Sequence, residues 1–118
     1  MRKVLLAILA VSAAIGRAMG QETASPNDIQ EGHKLAIMVC ANCHLAASDQ
    51  REQPILRPPA PSFASIVQRK DVTADWLQNF MKTTHRGIDN PQGMPNPSLL
   101  DFQLKQVSAY LLSLRKTR

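Results

Sequence analysis

Apolar side chains recur with helical spacing near the C-terminal end of the sequence. An apolar face with a period of about 3.6 residues is formed by Leu100, Leu104, Val107, Leu111 and Leu114. Ser98 and Asp101 form a Ser-x-x-Asp pattern at its start, which is typical of the beginning of a helix. We therefore predict a helix over residues 99–115.

Two further helices are predicted upstream, over residues 26–43 and 74–85. Each follows a side chain that can cap the start of a helix, Ser25 for the first helix and Thr73 for the second. A short additional helix is indicated near residues 63–68.

Proline-rich segments at residues 54–62 and 90–97 lie between these helices and predict loops. Neither segment alternates between apolar and polar side chains as a strand would. The pattern predicts an all-α domain with three main helices and long ordered loops.

The first twenty residues differ from the rest of the chain. Arg2 and Lys3 precede an apolar run at residues 4–15, and small residues follow it. This is the layout of a secretory signal peptide. The run of 12 residues is shorter than the about 20 residues of a membrane-spanning helix. We expect residues 1–20 to be cleaved, which leaves residues 21–118 as a single domain; an uncleaved membrane anchor is the alternative.

Composition and charge are informative once that segment is set aside. The chain has 118 residues, with 14 Lys and Arg against 9 Asp and Glu, a net charge of +5. Three of the basic residues lie in residues 1–20, so residues 21–118 carry 11 against 9, or +2. This charge gives no support to nucleic-acid binding. The length excludes a multidomain enzyme, and the 44% apolar content argues against disorder.

The strongest chemical signal is the pentapeptide Cys40-Ala41-Asn42-Cys43-His44. Residues at i and i+3 share a helix face, so the two thiols can reach one edge of a planar ligand while His44 approaches it from one side. This arrangement suits haem c, attached through two thioethers and ligated at its iron by the imidazole.

Three other interpretations of the motif are weaker. A disulfide between Cys40 and Cys43 would close a strained, very small loop. A thioredoxin-like redox pair needs a strand-to-helix context in an α/β fold, which the pattern lacks. A zinc site needs four ligands, and no second paired motif supplies them.

Further motifs follow the pentapeptide in a familiar order. Gly32 precedes it, and three segments come after it: Ala60-Pro61-Ser62-Phe63, Gly93-Met94-Pro95-Asn96-Pro97 and Val107-Ser108-Ala109-Tyr110-Leu111. In order and spacing the chain resembles the small bacterial class I c-type cytochromes over nearly all of residues 21–118. The resemblance implies the cytochrome c fold, in which helices and long loops surround one covalently attached haem. The chain departs from the family at Ala36, where an aromatic residue is common, and in its longer loop after the motif.

Met94 is the expected sixth ligand of the iron. It lies fifty residues after the motif histidine, in a loop where a methionine has no helical face to bury, and a thioether there would complete His/Met ligation. The competing ligands are His33 and His85. Met38 and Met81 lie inside predicted helices and are expected to fill the core.

The resemblance also assigns supporting roles. In the family a proline carbonyl of the next loop fixes the ring of the axial histidine. Pro61 matches that position best, with Pro58 and Pro59 as alternatives. The family further implies that Gly32 and Tyr110 meet where the first and last helices cross.

These features predict a periplasmic monohaem carrier that passes one electron between redox partners and is not an enzyme. The alternative is a cytochrome subunit, or a dedicated electron acceptor, of a periplasmic dehydrogenase. A third interpretation, from a different class, is an enzyme or gas sensor with an open haem position. We expect transient protein partners, no nucleic acid, no stable membrane anchor and a monomeric protein.

Overall fold

The computed structural model describes residues 24–83, 85 and 93–116. The predicted signal peptide, residues 1–20, lies outside this part of the chain and stays a prediction. Within the described residues no helix is long and apolar enough to cross a membrane.

The first helical segment changes its winding before it reaches the cysteines. Helix α1 spans Pro26–Leu35 and begins where the Ser25 hydroxyl accepts a hydrogen bond from the Asp28 backbone N–H at 3.0 Å. One π-helical turn, Ala36–Cys40, continues it. The segment is helical to Cys40 rather than to residue 43, the predicted end.

Two shorter helices follow. Helix α2 spans Phe63–Ile66, and α3 spans Ala74–Lys82. Helix α3 starts at its predicted cap, Thr73, and α2 starts at Ser62; each of these side chains accepts a hydrogen bond from a backbone N–H of the first turn. Helix α3 ends before residue 85 because the backbone of Thr83 is extended, and the Thr83 hydroxyl donates to the Phe80 carbonyl oxygen at 3.1 Å.

The last helix, α4, spans Asp101–Ser113 and starts later than predicted. Ser98 is not its cap. The backbone of Ser98 has a positive φ of 55°, and its N–H donates to the Asn96 side-chain oxygen at 2.8 Å. Leu100 occupies the cap position instead, and its N–H donates to the Gln103 side chain at 3.0 Å.

Helices α1 and α4 cross in close contact at Gly32. A Cβ atom at this position would overlap the Gln106 carbonyl group and would lie 2.9 Å from the Tyr110 Cβ. The Tyr110 hydroxyl donates to the Ala46 carbonyl oxygen at 3.0 Å, which ties the crossing to the loop after the motif. The predicted meeting of Gly32 and Tyr110 is therefore confirmed.

Helix α3 also packs against α4, the helix that α1 crosses. The buried side chains between these elements include Val67, Val72, Leu77, Leu104 and Val107. Apart from an isolated bridge between His44 and Ala60, the described residues form no β-structure. The predicted all-α class is confirmed.

Arg115, just beyond the end of α4, binds the segment between α2 and α3. Its guanidinium donates to the carbonyl oxygens of Val67 at 2.6 Å, Val72 at 2.7 Å and Arg69 at 3.3 Å. These bonds tie the end of the last helix to the segment that joins α2 and α3.

Candidate functional site

A cavity of about 720 Å³ lies between the motif, α3, α4 and the segment that carries Met94. Its volume falls within the range of about 300–1,000 Å³ that is usual for cofactor sites. Apolar side chains from several elements line it, among them Leu56, Ile66, Leu77, Met81 and Leu111.

The motif lies at the wall of this cavity. Cys40, Cys43 and His44 all line it, and both cysteines are half-buried free thiols. The backbone N–H groups of Cys43 and His44 bond to the Cys40 carbonyl oxygen at 3.1 and 2.9 Å, so a tight turn follows the π-helical segment. Turns of π-helix inside longer helices occur frequently at functional sites.

The long loop after the motif returns and bonds to it. The Ile55 N–H donates to the Asn42 carbonyl oxygen at 2.9 Å, and the Ala60 N–H donates to that of Cys43 at 3.0 Å. The longer loop noted in the sequence thus becomes one side of the site.

The Cys40 thiol lacks the lowered pKa of a redox-active cysteine. Burial, and secondarily the neighbouring Cys43, raises the pKa of Cys40 to about 11. Redox-active cysteine pairs depend on a depressed thiol pKa. This finding argues against the thioredoxin-like interpretation. Among the described residues, no group of three or more His, Cys, Asp and Glu side chains is placed to hold a metal ion by itself.

His44 is oriented by the loop after the motif. Its Nδ1 atom lies 2.7 Å from the Pro61 carbonyl oxygen, and its ring packs at 5.4 Å from that of Phe63, centroid to centroid. A carbonyl only accepts, so Nδ1 carries the proton and Nε2 keeps the lone pair that a metal requires. Of the three candidate prolines, Pro61 is the one whose carbonyl makes this contact.

Met94 lines the same cavity as the motif and is half-buried there. Its backbone carbonyl oxygen accepts a hydrogen bond from the His85 N–H at 2.8 Å. The structure thus brings Cys40, Cys43, His44 and Met94 to one cavity.

The other two histidines are engaged elsewhere. His33 Nε2 lies 2.8 Å from the Asp49 carboxylate, and its ring meets that of Tyr110 edge-on. The His85 ring stacks on that of Phe80, with centroids 3.9 Å apart. Neither His33 nor His85 belongs to the cavity lining, in contrast to His44.

The two helical methionines differ from each other. Met81 is buried and lines the cavity, as a core methionine would. Met38 lies in the π-helical turn with 73% of its surface exposed, so the expectation that it fills the core is wrong.

Sequence reasoning missed two arginines in the cavity wall. Arg57 donates to the carbonyl oxygens of Pro54 at 2.5 Å and Leu56 at 2.8 Å. Arg69 pairs with the Asp71 carboxylate at 2.6 Å, and its guanidinium lies 5.3 Å from the centre of the Trp76 ring. Both come from irregular segments, where no periodicity marks which side faces the interior.

In the described chain, four helices and a pair of thiols surround an apolar cavity. This arrangement defines a small helical domain built around a covalently attached prosthetic group. The family model described as Cytochrome c matches residues 29–115. The chain belongs to the cytochrome c family, and its cofactor is covalently bound haem c, for which Cys40 and Cys43 fit the attachment motif.

A curated relative supports the same assignment. The chain is 31% identical over 98 residues to cytochrome c-552 of Bradyrhizobium diazoefficiens. The aligned segment covers 83% of this chain and 86% of the relative. No solved structure matches the chain significantly.

Proposed function

We propose that this protein is an exported one-electron carrier of the periplasm, with His44 and Met94 as the two axial ligands of its haem iron. One observation carries the proposal: two attachment thiols, an imidazole and a thioether line the same cavity. Haem c with this ligation supplies an iron that cycles between Fe(II) and Fe(III) without binding a substrate.

The protein's own residues give the site its properties. Pro61 holds the His44 ring, which limits the rotation of the imidazole during electron transfer. The largely apolar lining of the cavity disfavours water there. Met ligation combined with this environment favours the reduced state relative to two-histidine ligation.

Arg57 is the residue that we assign to a haem propionate. The hydrogen bonds of its guanidinium go to neutral carbonyl oxygens. Arg69 is already paired with Asp71, and this pairing lowers the pKa of the Asp71 carboxyl. Arg57 therefore lines the cavity with its charge not paired to a carboxylate of the described residues, whereas the charge of Arg69 already is.

Export is supported by the signal-peptide pattern of residues 1–20 and by the family, whose bacterial members are typically exported. Transient docking to redox partners, without a membrane anchor and without nucleic acid, fits the net charge of +2 that the sequence leaves on residues 21–118. We also propose that the protein is a monomer.

A second candidate function is that of a subunit or dedicated acceptor of a periplasmic dehydrogenase. It is favoured by two apolar side chains near the motif. Met38 and Ile55 each have 73% of their surface exposed, and the Ile55 N–H bonds directly to the motif backbone. Co-purification with an enzyme would favour this candidate, and loss of that association in Met38→Ser/Ile55→Ser would establish the contact.

The carrier proposal is tested by spectroscopy of the exported protein and of Met94→Ala. We expect one covalent haem per chain, a low-spin ferric spectrum and no CO binding to the reduced protein at neutral pH. Met94→Ala should become high-spin, bind CO and have a lower potential. A Met94→Ala protein with an unchanged spectrum and potential would remove Met94 as the ligand, and rapid CO binding by the unaltered protein would favour a sensor or an enzyme. An N-terminus near Gln21 would establish the cleavage.

A further inference from the structure

We infer that His85 is a positioning residue that holds the segment carrying Met94 against the end of α3. The inference rests on the proposed function, because the ligation of iron by Met94 is itself proposed. His85 lies outside the cavity lining, so it acts through Met94 and does not touch the haem site.

The His85 ring continues an aromatic stack that begins in the cavity wall. Trp76 and Phe80, one turn apart on α3, both line the cavity and stack with centroids 4.9 Å apart and ring planes within 15°. The imidazole of His85 lies on Phe80 at 3.9 Å, again within 15°. The plane of the His85 ring is thereby set by side chains that also bound the haem site.

Polar contacts fix the edge of the same ring. His85 Nε2 lies 3.3 Å from the Phe80 carbonyl oxygen and 3.1 Å from the Thr83 hydroxyl. The Phe80 carbonyl oxygen, near the end of α3, also accepts from the Thr83 backbone N–H at 3.3 Å and from the Thr83 hydroxyl at 3.1 Å. In the neutral tautomer that carries its proton on Nε2, His85 donates to this Thr83–Phe80 pair, so its side chain joins the polar contacts at the end of α3 while its ring is stacked.

The backbone of the same residue holds Met94. The His85 N–H donates to the Met94 carbonyl oxygen at 2.8 Å. Two residues further on, the Asn96 side-chain amide donates to the Lys82 carbonyl oxygen at 2.9 Å. The ligand segment is therefore bonded to the end of α3 at two points, and at one of them the His85 ring fixes the donor.

The two kinds of contact explain why an imidazole suits this position. Phenylalanine would keep the stack on Phe80 but lose the polar edge, and glutamine would keep a polar group but lose the stack. Alanine loses both. Each loss frees the backbone at residue 85, weakens the restraint on Met94 and lets an exogenous ligand displace the thioether more easily.

The experiment uses the holoprotein and measures the affinity of the ferric form for imidazole, which competes with Met94 for the iron. For His85→Ala we expect affinity to rise about tenfold, which corresponds to about 1.4 kcal/mol. The methionine–iron charge-transfer band should weaken and the reduction potential should fall. His85→Phe and His85→Gln should lie between His85→Ala and the unaltered protein. The matched control is His33→Ala, which removes a histidine engaged outside the cavity and should leave all three readouts unchanged.

Met94→Ala separates the two proposals. If Met94→Ala binds imidazole much more tightly but His85→Ala stays within twofold of the unaltered protein, His85 has no positioning role and the ligation proposal stands. If Met94→Ala leaves the affinity unchanged, both proposals fail. Should His85→Ala not fold, the ranking of His85→Phe and His85→Gln decides, because equal affinity in both and in the unaltered protein overturns the inference.

Discussion

Single residues outside the motif determine how the motif presents its chemistry. The His44 ring is held at Nδ1 by the Pro61 carbonyl oxygen, 2.7 Å away. Rotation of the imidazole would break a hydrogen bond worth about 0.5–1.5 kcal/mol. We expect orientation of the ligand to depend on the path of the loop as much as on the histidine itself.

Ser98 carries a backbone conformation that its side chain disfavours. Its φ of 55° lies in the left-handed region, which costs a non-glycine residue about 1–2 kcal/mol. Ser98→Gly should raise the free energy of unfolding by about 0.5 kcal/mol, because relief of strain exceeds the added entropy of the unfolded chain. Ser98→Val should lower it by more than about 1 kcal/mol. Urea denaturation of both variants checks the prediction, and a change of the same sign in both would contradict it.

The ion pair of Asp49 with His33 makes the free energy of unfolding depend on pH in the acidic range. The hydrogen bond from His33 lowers the pKa of Asp49 below its ordinary value. A carboxyl with a lowered folded-state pKa contributes stability above its unfolded pKa of about 3.9 and loses that contribution as pH falls through the folded value. Asp49→Asn should therefore flatten the loss of stability between about pH 5 and pH 2.

Denaturant unfolding at a series of pH values measures that slope. Glu52→Gln is the matched control, because it removes an exposed acid of the same loop without touching the His33 contact. An equal change of slope in Asp49→Asn and Glu52→Gln would show that net charge, and not the Asp49–His33 pair, causes the loss of stability at low pH.

At the scale of helices, local sequence signals predict where each helix lies along the chain better than they predict the residues at which it begins and ends. Ser25 and Thr73 cap the first and third helices because capping depends on a few adjacent residues. The π-helical turn at Ala36–Cys40 carries no such signal. Ser98 has the correct pattern for a cap, yet the Asn96 side chain bonds to its N–H and moves the start of α4 to Leu100. The Asn96 side chain is in turn held by a tertiary contact, because its amide donates to the Lys82 carbonyl oxygen at 2.9 Å.

The crossing of α1 and α4 depends on the absence of a side chain at Gly32. Gly32→Ala would place a methyl group against the Gln106 carbonyl and 2.9 Å from the Tyr110 Cβ. Because backbone is the obstacle, the helices must separate, and the free energy of unfolding should fall by about 1–3 kcal/mol. Thermal and urea unfolding measure the loss. Gln30→Ala, an exposed site on the same helix, should change stability by less than about 0.5 kcal/mol.

At the scale of the whole molecule, the site divides into parts that sequence predicts and parts that it does not. Cys40, Cys43 and His44 lie within five consecutive residues, so their chemistry is visible in the order of residues alone. Arg57 and His85 come from irregular segments, and only the folded chain shows that one lines the cavity and the other bonds to the ligand segment. Their roles depend on loop paths that no periodicity encodes.

The haem is expected to be part of the hydrophobic core. The cavity of about 720 Å³ is lined largely by apolar side chains. At about 24 cal/mol per Å³, an empty void of this size would cost about 17 kcal/mol, which exceeds the about 5–15 kcal/mol by which domains are stable. Cys40→Ala/Cys43→Ala, which prevents covalent attachment, should therefore lack cooperative thermal unfolding and lose much of its helical circular dichroism. Met38→Ala/Val39→Ala, which alters the exposed side of the same turn, should keep both. A haem-free double variant that melts cooperatively near the temperature of the holoprotein would show instead that the helices and loops form a sufficient core by themselves.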